Sequence, residues 1–329
     1  MTSRIALVAI GGNALLRGGA HATIAEQFES ARGLAAPLGE MVGSGWRVVL
    51  THGNGPQVGF IQQRSDIAAT VAPELPRLEL DMCVADSQGS LGYIIGSSVA
   101  GHLRGQGLPD RVVALLTHTV VDAADPAFAV PTKPIGPFYP LPVARRLADK
   151  HGWALTEDSG RGWRRVVPSP RPQRIVEQPA ISALADAGFV VVAAGGGGIP
   201  VIEEADGRYR GVEAVIDKDL ASALLADAMG ADLLVITTGV AQVAVNFGQP
   251  DQQLLGRIDA DEARRHLADG QFPPGSMGPK VEAALQFVES GPGREVLITS
   301  PERLPEALQG GTGTWVGPAA ARTNGTLVQ

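Results

Sequence analysis

Apolar residues recur along the chain in short unbroken runs: "RIALVAI", "WRVVL", "RVVALLT", "FVVVAA", "LLVITT" and "EVLITS". A strand wetted on one face alternates apolar with polar positions, whereas a strand covered on both faces has no polar side to show. The runs therefore read as strands of a parallel sheet flanked by helices. Between them the period changes to that of a helix. Ala221, Leu224, Leu225 and Ala228 fall at i, i+3, i+4 and i+7; Val281, Ala284, Leu285 and Val288 repeat the pattern, and Gly291 stands where that second helix is expected to be capped. Strands alternating with helices predict a doubly wound α/β fold.

One stretch breaks the alternation. Roughly residues 122–166, "DAADPAFAVPTKPIGPFYPLPVARRLADKHGWALTEDSGRGWRRV", are dense in Pro and aromatics and fit neither period, which predicts an insertion or lid between core elements. The rest shows no internal repeat and no low-complexity linker.

Three predicted strands run into glycine-rich turns: "VAIGGNALL" (Gly11, Gly12, Asn13), "VLTHGNGPQVG" (Gly53, Asn54, Gly55) and "VVAAGGGGIPV" (Gly195 to Gly198). Any one of them alone reads as a tight strand–helix turn that needs positive φ. Together they predict a ligand crevice, because ligands of open α/β sheets sit beyond the carboxyl ends of the strands. Main-chain N–H groups in such turns approach a phosphate or carboxylate closely, and a following helix N-terminus adds favourable potential. The familiar fingerprints are missing: no G-x-x-x-x-G-K-[ST], no G-x-G-x-x-G spacing, no G-x-S-x-G and no H-E-x-x-H occurs. His52, beside the second turn, reads as a packed strand-end residue.

Composition narrows the partners. With 329 residues, 44% hydrophobic and 19% charged, the chain has the make-up of a globular protein of one large or two smaller domains. A formal net charge of −7 gives nucleic acid or an anionic membrane no average field to follow, so an anionic ligand needs locally placed cations. The one cysteine, Cys83, allows no internal disulfide, and the N-terminus lacks the small-residue cleavage site of a secretory signal; both fit the cytoplasm.

Those local cations are scarce in one form. The 27 basic residues include only four lysines, Lys133, Lys150, Lys218 and Lys280. Lysine is a compact point charge, suited to following a moving phosphoryl group, while the planar fork of arginine suits fixed bidentate pairing. Lys133, Lys218 and Lys280 lie in "PTKPIGPFY", "VIDKDLAS" and "GSMGPKVEAA", each at an element boundary beside Gly, Pro or Asp; Lys150, in "RRLADKHGW", reads as a solvated surface residue. Asp217 and Asp219 read as the N-cap and first-turn acid of the helix that follows. Asp219 also reads as a carboxylate beside the phosphoryl path that aims the cations, and capping and aiming are compatible.

In chain order, "AIGGNALL", "THGNGPQVG", "LDMCVADSQGSLGY", "PAFAVPTKPIGPFY", "GWRRVVPSPRPQRIVE", "AAGGGGIPV", "VEAVIDKDLAS" and "GSMGPKVEAA" resemble the carbamate kinases of the amino acid kinase family. The resemblance spans nearly the whole chain, and "PTKPIGPFY" and "RRVVPSPRP" are peculiar to the carbamate kinase branch. It implies an open αβα sandwich, a single domain over residues 1–329 with the 122–166 segment protruding as a lid subdomain, a homodimer, and Mg²⁺ arriving with ATP or ADP. The implied reaction is reversible phosphoryl transfer between carbamoyl phosphate and ADP, giving ATP and carbamate, in arginine catabolism. By motif, Gly11, Gly12, Asn13, Gly53, Asn54 and Gly55 would surround carbamate and the transferred phosphoryl. Lys133 would reach in from the lid, Lys218 would sit on the ATP phosphates, Lys280 would balance charge on the leaving side and Asp219 would orient the lysines. Gly195, Gly196, Val240 and Met277 would line the nucleotide beside Lys218 and Lys280, with no protein-held metal. The chain departs from the family pattern at Thr238-Gly239-Val240, where many relatives carry Thr-Asp-Val, so the resemblance carries over the chemistry but not the contacts to the nucleotide base. Two competing readings are another acyl-phosphate-forming kinase of the same family and a catalytically silent paralogue that binds nucleotide.

Overall fold

The computed structural model describes residues 4–12, 23–158, 160–273 and 275–318. Each of the six apolar runs supplies one strand of a central eight-stranded sheet. Its order is Arg257–Ile258, Thr314–Val316, Glu295–Thr299, Leu233–Thr237, Ile5–Ile10, Arg47–His52, Val190–Val192 and Val112–Ala114. Neighbours pair in parallel except Thr314–Val316, which runs antiparallel to Glu295–Thr299.

The absence of alternation in the sequence has a direct cause: successive side chains of each strand enter two different cores. Ile5, Leu7 and Ala9, with Leu234, Ile236, Val296 and Ile298, pack on Ile181, Leu225 and Val281 of the helices Gln178–Asp186, Lys218–Ala228 and Met277–Glu289. Ala6, Val8 and Ile10, with Val48, Leu50, Val235 and Leu297, pack on Leu34, Leu38, Leu91 and Ile95 of the helices Ile24–Gly43 and Leu80–Gly105. The result is an open αβα sandwich. All six residues of Ile5–Ile10 are buried, and each larger aliphatic side chain so covered contributes about 1.5–3 kcal/mol. The helix Ile24–Gly43 starts on a capping box, in which the Glu26 N–H donates to the Thr23 hydroxyl and the Thr23 N–H donates to the Glu26 carboxylate.

The structure departs from the sequence reading in four places. The run "RVVALLT" forms a strand only over Val112–Ala114, after which the chain crosses into a second sheet, Tyr209–Gly211, Ile199–Glu203, His118–Val121 and Pro172–Ile175. That sheet left little mark on the pattern because two of its strands, Tyr209–Gly211 and Pro172–Ile175, are short and largely polar or exposed. Secondly, the third glycine turn leads into the strand Ile199–Glu203 and not into a helix. Thirdly, the helix Met277–Glu289 is capped by Ser290, one residue before Gly291, and the left-handed glycine nearby is Gly293, at φ +74°.

The fourth departure is the 122–166 stretch, which is regular. Lys133–Tyr139, Trp163–Val167 and Ala154–Glu157 form an antiparallel sheet in that order, covered by the helix Leu141–His151, which ends on Gly152 in the left-handed conformation. The strand period was hidden because Lys133–Tyr139 is an edge strand, where Pro134 and Pro137 are tolerated, and its register shifts between Ile135 and Tyr139 around Gly136 at φ +71°. Its base is tied to the body of the molecule. Ile135 and Val167 share a core with Val58, Val84 and Ile199, and Arg165 pairs with Glu213 at 2.5 Å.

Candidate active site

Because the central strands are parallel, their carboxyl ends lie along one edge, and the glycine loops meet there. The Gly11 N–H donates to Thr237 Oγ1 at 2.9 Å, fastening the turn after the first strand to the end of its neighbour. A Cβ on Gly12 would stand 2.8 Å from the Gly55 carbonyl oxygen, and one on Gly53 would stand 2.8 Å from the Gly12 nitrogen. The first and second loops thus pack backbone on backbone, a contact that only glycine permits. The third loop closes on the second: a Cβ on Gly195 would meet His52 Nε2 at 2.4 Å and one on Gly196 would meet Asn54 Nδ2 at 2.2 Å. Gly196, Gly197 and Gly198 hold φ of +66°, +91° and +98°, where any other residue would be strained.

Side chains of the helix Leu80–Gly105 brace these loops from below. Gln88 Nε2 donates to the Gly195 carbonyl at 2.9 Å while its Oε1 accepts from the Thr117 N–H at 2.8 Å, and Asn54 Nδ2 donates to Ser87 Oγ at 3.0 Å. His52 is buried at the strand end as expected. Burial, partly offset by the contact with the Gly53 carbonyl and reinforced by the nearby Lys218 charge, pushes its imidazole down to about 4, so it is neutral near pH 7.

The lysines converge on the start of the helix Lys218–Ala228. Asp219 is 4% exposed, and its two carboxylate oxygens accept from Lys218 Nζ at 2.5 Å and from Lys280 Nζ at 2.7 Å. Burial by itself would raise the Asp219 carboxyl, but the two ammonium groups together hold it well below the usual carboxylate range. Burial likewise draws the Lys218 ammonium down, opposed by Asp219 and assisted by Lys280. Asp217 is the N-cap: Oδ1 accepts from the Asp219 and Leu220 N–H groups at 2.9 and 3.3 Å. Its other oxygen, Oδ2, accepts from Lys133 Nζ at 2.7 Å. Three ammonium groups therefore face two carboxylates, with one positive charge in surplus. The cluster adjoins the glycine loops, since a Cβ on Gly197 would meet the Ile216 carbonyl at 2.6 Å and Ser222 Oγ lies 2.7 Å from Thr51 Oγ1.

Of the residues singled out from sequence, Gly11, Gly12, Gly53, Asn54, Gly55, Gly195 and Gly196 come together in the loops, and Lys133, Lys218, Lys280 and Asp219 in the charge cluster. Asn13 lies outside the described residues. Val240 lies in the turn after Leu233–Thr237, and Met277 opens the helix that carries Lys280 with its side chain partly buried against the core. Lys150 is exposed on the helix Leu141–His151. Sequence reasoning missed the second role of Asp217, because an aspartate before a helix is fully accounted for as a cap. It also gave no role to Ser87 and Gln88, which stand in the motif "LDMCVADSQGSLGY", or to Thr237, because their contacts cross the chain.

A buried carboxylate with two lysines and a third lysine from an inserted sheet, set beside the glycine loops, leave a local surplus of positive charge suited to an anion. The model of the amino acid kinase family matches residues 4–300. Carbamate kinase of Thermococcus kodakarensis is 48% identical over 94% of this chain and 98% of its own, and the carbamate kinase-like protein YahI of Escherichia coli is 49% identical over 95% and 98%. The chain belongs to the amino acid kinase family, on its carbamate kinase branch. Among solved structures of this family, carbamate kinase from Giardia lamblia bound to AMP-PNP superposes with a TM-score of 0.87 at 40% identity, covering 96% of this chain and 98% of that one. As a member of this branch the protein is a phosphotransferase.

Proposed function

We propose that the protein catalyses reversible Mg-ATP-dependent phosphoryl transfer between carbamoyl phosphate and ADP, giving ATP and carbamate. The observation that carries this reading is the gathering of Lys133, Lys218 and Lys280 on Asp217 and Asp219 beside the glycine loops. Phosphoryl transfer depends on positioning and on charge stabilisation more than on a nucleophilic side chain. Carbamate is already an anion and asks for no base, which agrees with a neutral, buried His52 beside the glycine loops.

In this reading Gly11, Gly12, Gly53 and Gly55, with Asn13 and Asn54, surround carbamate and the moving phosphoryl. Lys133 reaches it from the lid and Lys218 from the helix start. Lys280 balances charge toward ADP, and Gly195, Gly196, Val240 and Met277 border the nucleotide. Both Asp219 oxygens are engaged by lysines, and no group of three His, Cys, Asp or Glu side chains able to hold a metal occurs among the described residues. What fits these residues is Mg²⁺ carried on the nucleotide phosphates, where it would neutralise developing charge. A homodimer, a cytoplasmic location and a role in arginine catabolism belong to the same proposal; among the described residues no helix is long and apolar enough to cross a membrane.

The test is a coupled assay of ATP formation from carbamoyl phosphate and ADP, run beside acetyl phosphate and other acyl phosphates. Turnover specific to carbamoyl phosphate is expected. Preference for another acyl phosphate would assign the chain to a different acceptor, and no turnover with any of them would leave a nucleotide-binding paralogue.

A further inference from the structure

Asp219 is the obvious organiser of the cluster, yet among the described residues its carboxylate pairs with Lys218 and Lys280 and not with Lys133. The lysine that comes from the inserted sheet is held by a different carboxylate. Lys133 is the first residue of the edge strand Lys133–Tyr139, and its ammonium donates to Asp217 Oδ2 at 2.7 Å across 84 residues of sequence. The partner oxygen of that carboxylate cannot turn away. Oδ1 is fixed by the N–H groups of Asp219 and Leu220, so the plane of the carboxylate, and with it the direction of Oδ2, is set by the helix it caps. The Asp217 side chain is 13% exposed and the Lys133 side chain 37%, so the anchored end of the pair is the buried one.

We infer that Asp217 is the positioning residue for Lys133: the helix cap serves as a fixed bracket that registers the lid lysine against the Lys218–Asp219–Lys280 cluster. The assignment of Lys133 to the reaction rests on the function proposed above; the bracket itself rests on geometry alone. One helix start then sets all three lysines, two through Asp219 and one through Asp217.

The test exploits the equivalence of Asn and Asp as N-caps. Asp217→Asn keeps an oxygen for the Asp219 and Leu220 N–H groups and loses the charge that Lys133 pairs with. Its melting temperature should stay within about 2 °C of the parent, as expected when a cap is exchanged for an equal one. Amide exchange of Lys133–Tyr139 in the nucleotide-free protein should rise several-fold while exchange in the helix Lys218–Ala228 stays as in the parent. In the ATP-forming assay kcat/KM should fall about 10–100-fold, the scale of a reacting group displaced by about 1 Å. Lys133→Ala and the double variant should then be equally slow, because the two residues act as one unit. Unchanged exchange in Lys133–Tyr139 would overturn the bracket, as would losses that multiply in the double variant. Asp217→Ala, which lacks the cap as well, should melt lower; were Asp217→Asn to melt equally low, the lost charge would be what destabilises the helix start, the rate loss would follow from that damage rather than from Lys133, and the inference would fail. If the parent makes no ATP from carbamoyl phosphate, the function is what fails, and the exchange result still decides the bracket.

Discussion

Asp219 and its two lysines form a buried group in which each ammonium has one assigned oxygen, so the identity of the cation matters more than its charge. Lys218→Arg should fold like the parent, since Arg and Lys are equivalent in helix propensity. A planar guanidinium between Asp217 and Asp219 would pair bidentately with a carboxylate and leave the phosphoryl group unattended. Loss of one preorganised charge contact costs roughly 3–4 kcal/mol, or about 10²–10³ in kcat. The exposed Lys150→Arg is the matched control and should turn over as the parent does; equal rates for both variants would remove Lys218 from the chemistry. A second residue-scale expectation concerns pH. His52 titrates at about 4 in the folded chain against an ordinary value of 6.5, so between these values the unfolded chain binds more protons. The stability that depends on neutral His52 is whole above pH 6.5 and is lost as pH falls from 6.5 towards 4, by up to about 3 kcal/mol. His52→Gln should therefore flatten the fall of melting temperature over that window, and a slope equal to the parent's would place the acid sensitivity elsewhere. At this scale the sequence was informative where scarcity pointed, as with three of four lysines. It marked Ser87 and Gln88 as part of a motif but gave them no role, because their partners lie in remote segments.

The element that most rewards a mutational test is the inserted sheet. Its edge strand crosses the helix Gln57–Val71 so closely that a Cβ on Gly59 would stand 2.4 Å from the Gly136 Cα. Gly59→Ala favours the helix by about 1 kcal/mol in propensity and must push the strand outward, taking Lys133 with it. The expected outcome is a melting temperature near the parent's, turnover reduced at least tenfold, and faster amide exchange confined to Lys133–Tyr139. Parental turnover would mean that the crossing does not set the lysine. Binding of nucleotide with a carbamoyl phosphate mimic should slow exchange across residues 122–166 if this segment closes over the crevice. Apolar runs made the central strands legible because burial on both faces leaves their middles apolar, with polar residues such as Arg47, Thr237 and Glu295 confined to their ends. The inserted sheet was illegible for the opposite reason: a bulged edge strand with Pro134 and Pro137, half exposed, satisfies no single period.

For the molecule as a whole, charge placement makes a metal prediction. Since the carboxylates of the crevice are committed to lysines, calorimetry of the nucleotide-free protein should show negligible Mg²⁺ binding, whereas Mg²⁺ with an ATP analogue should raise the melting temperature by mass action. Tight stoichiometric Mg²⁺ uptake without nucleotide would contradict it. The sandwich and the meeting of glycine loops at one edge could be read from runs and glycines, but strand order could not, because pairing is decided between distant segments. That order has a consequence during synthesis. Ile5–Ile10 sits between Arg47–His52, which follows shortly, and Leu233–Thr237, whose Leu233 pairs with Ala6. At about 5–20 residues per second the ribosome delivers the second neighbour roughly 10–45 s after the first strand has been made. For that interval one edge of a wholly apolar strand has no native partner, and the nascent chain must be shielded by its own N-terminal helices or by a chaperone.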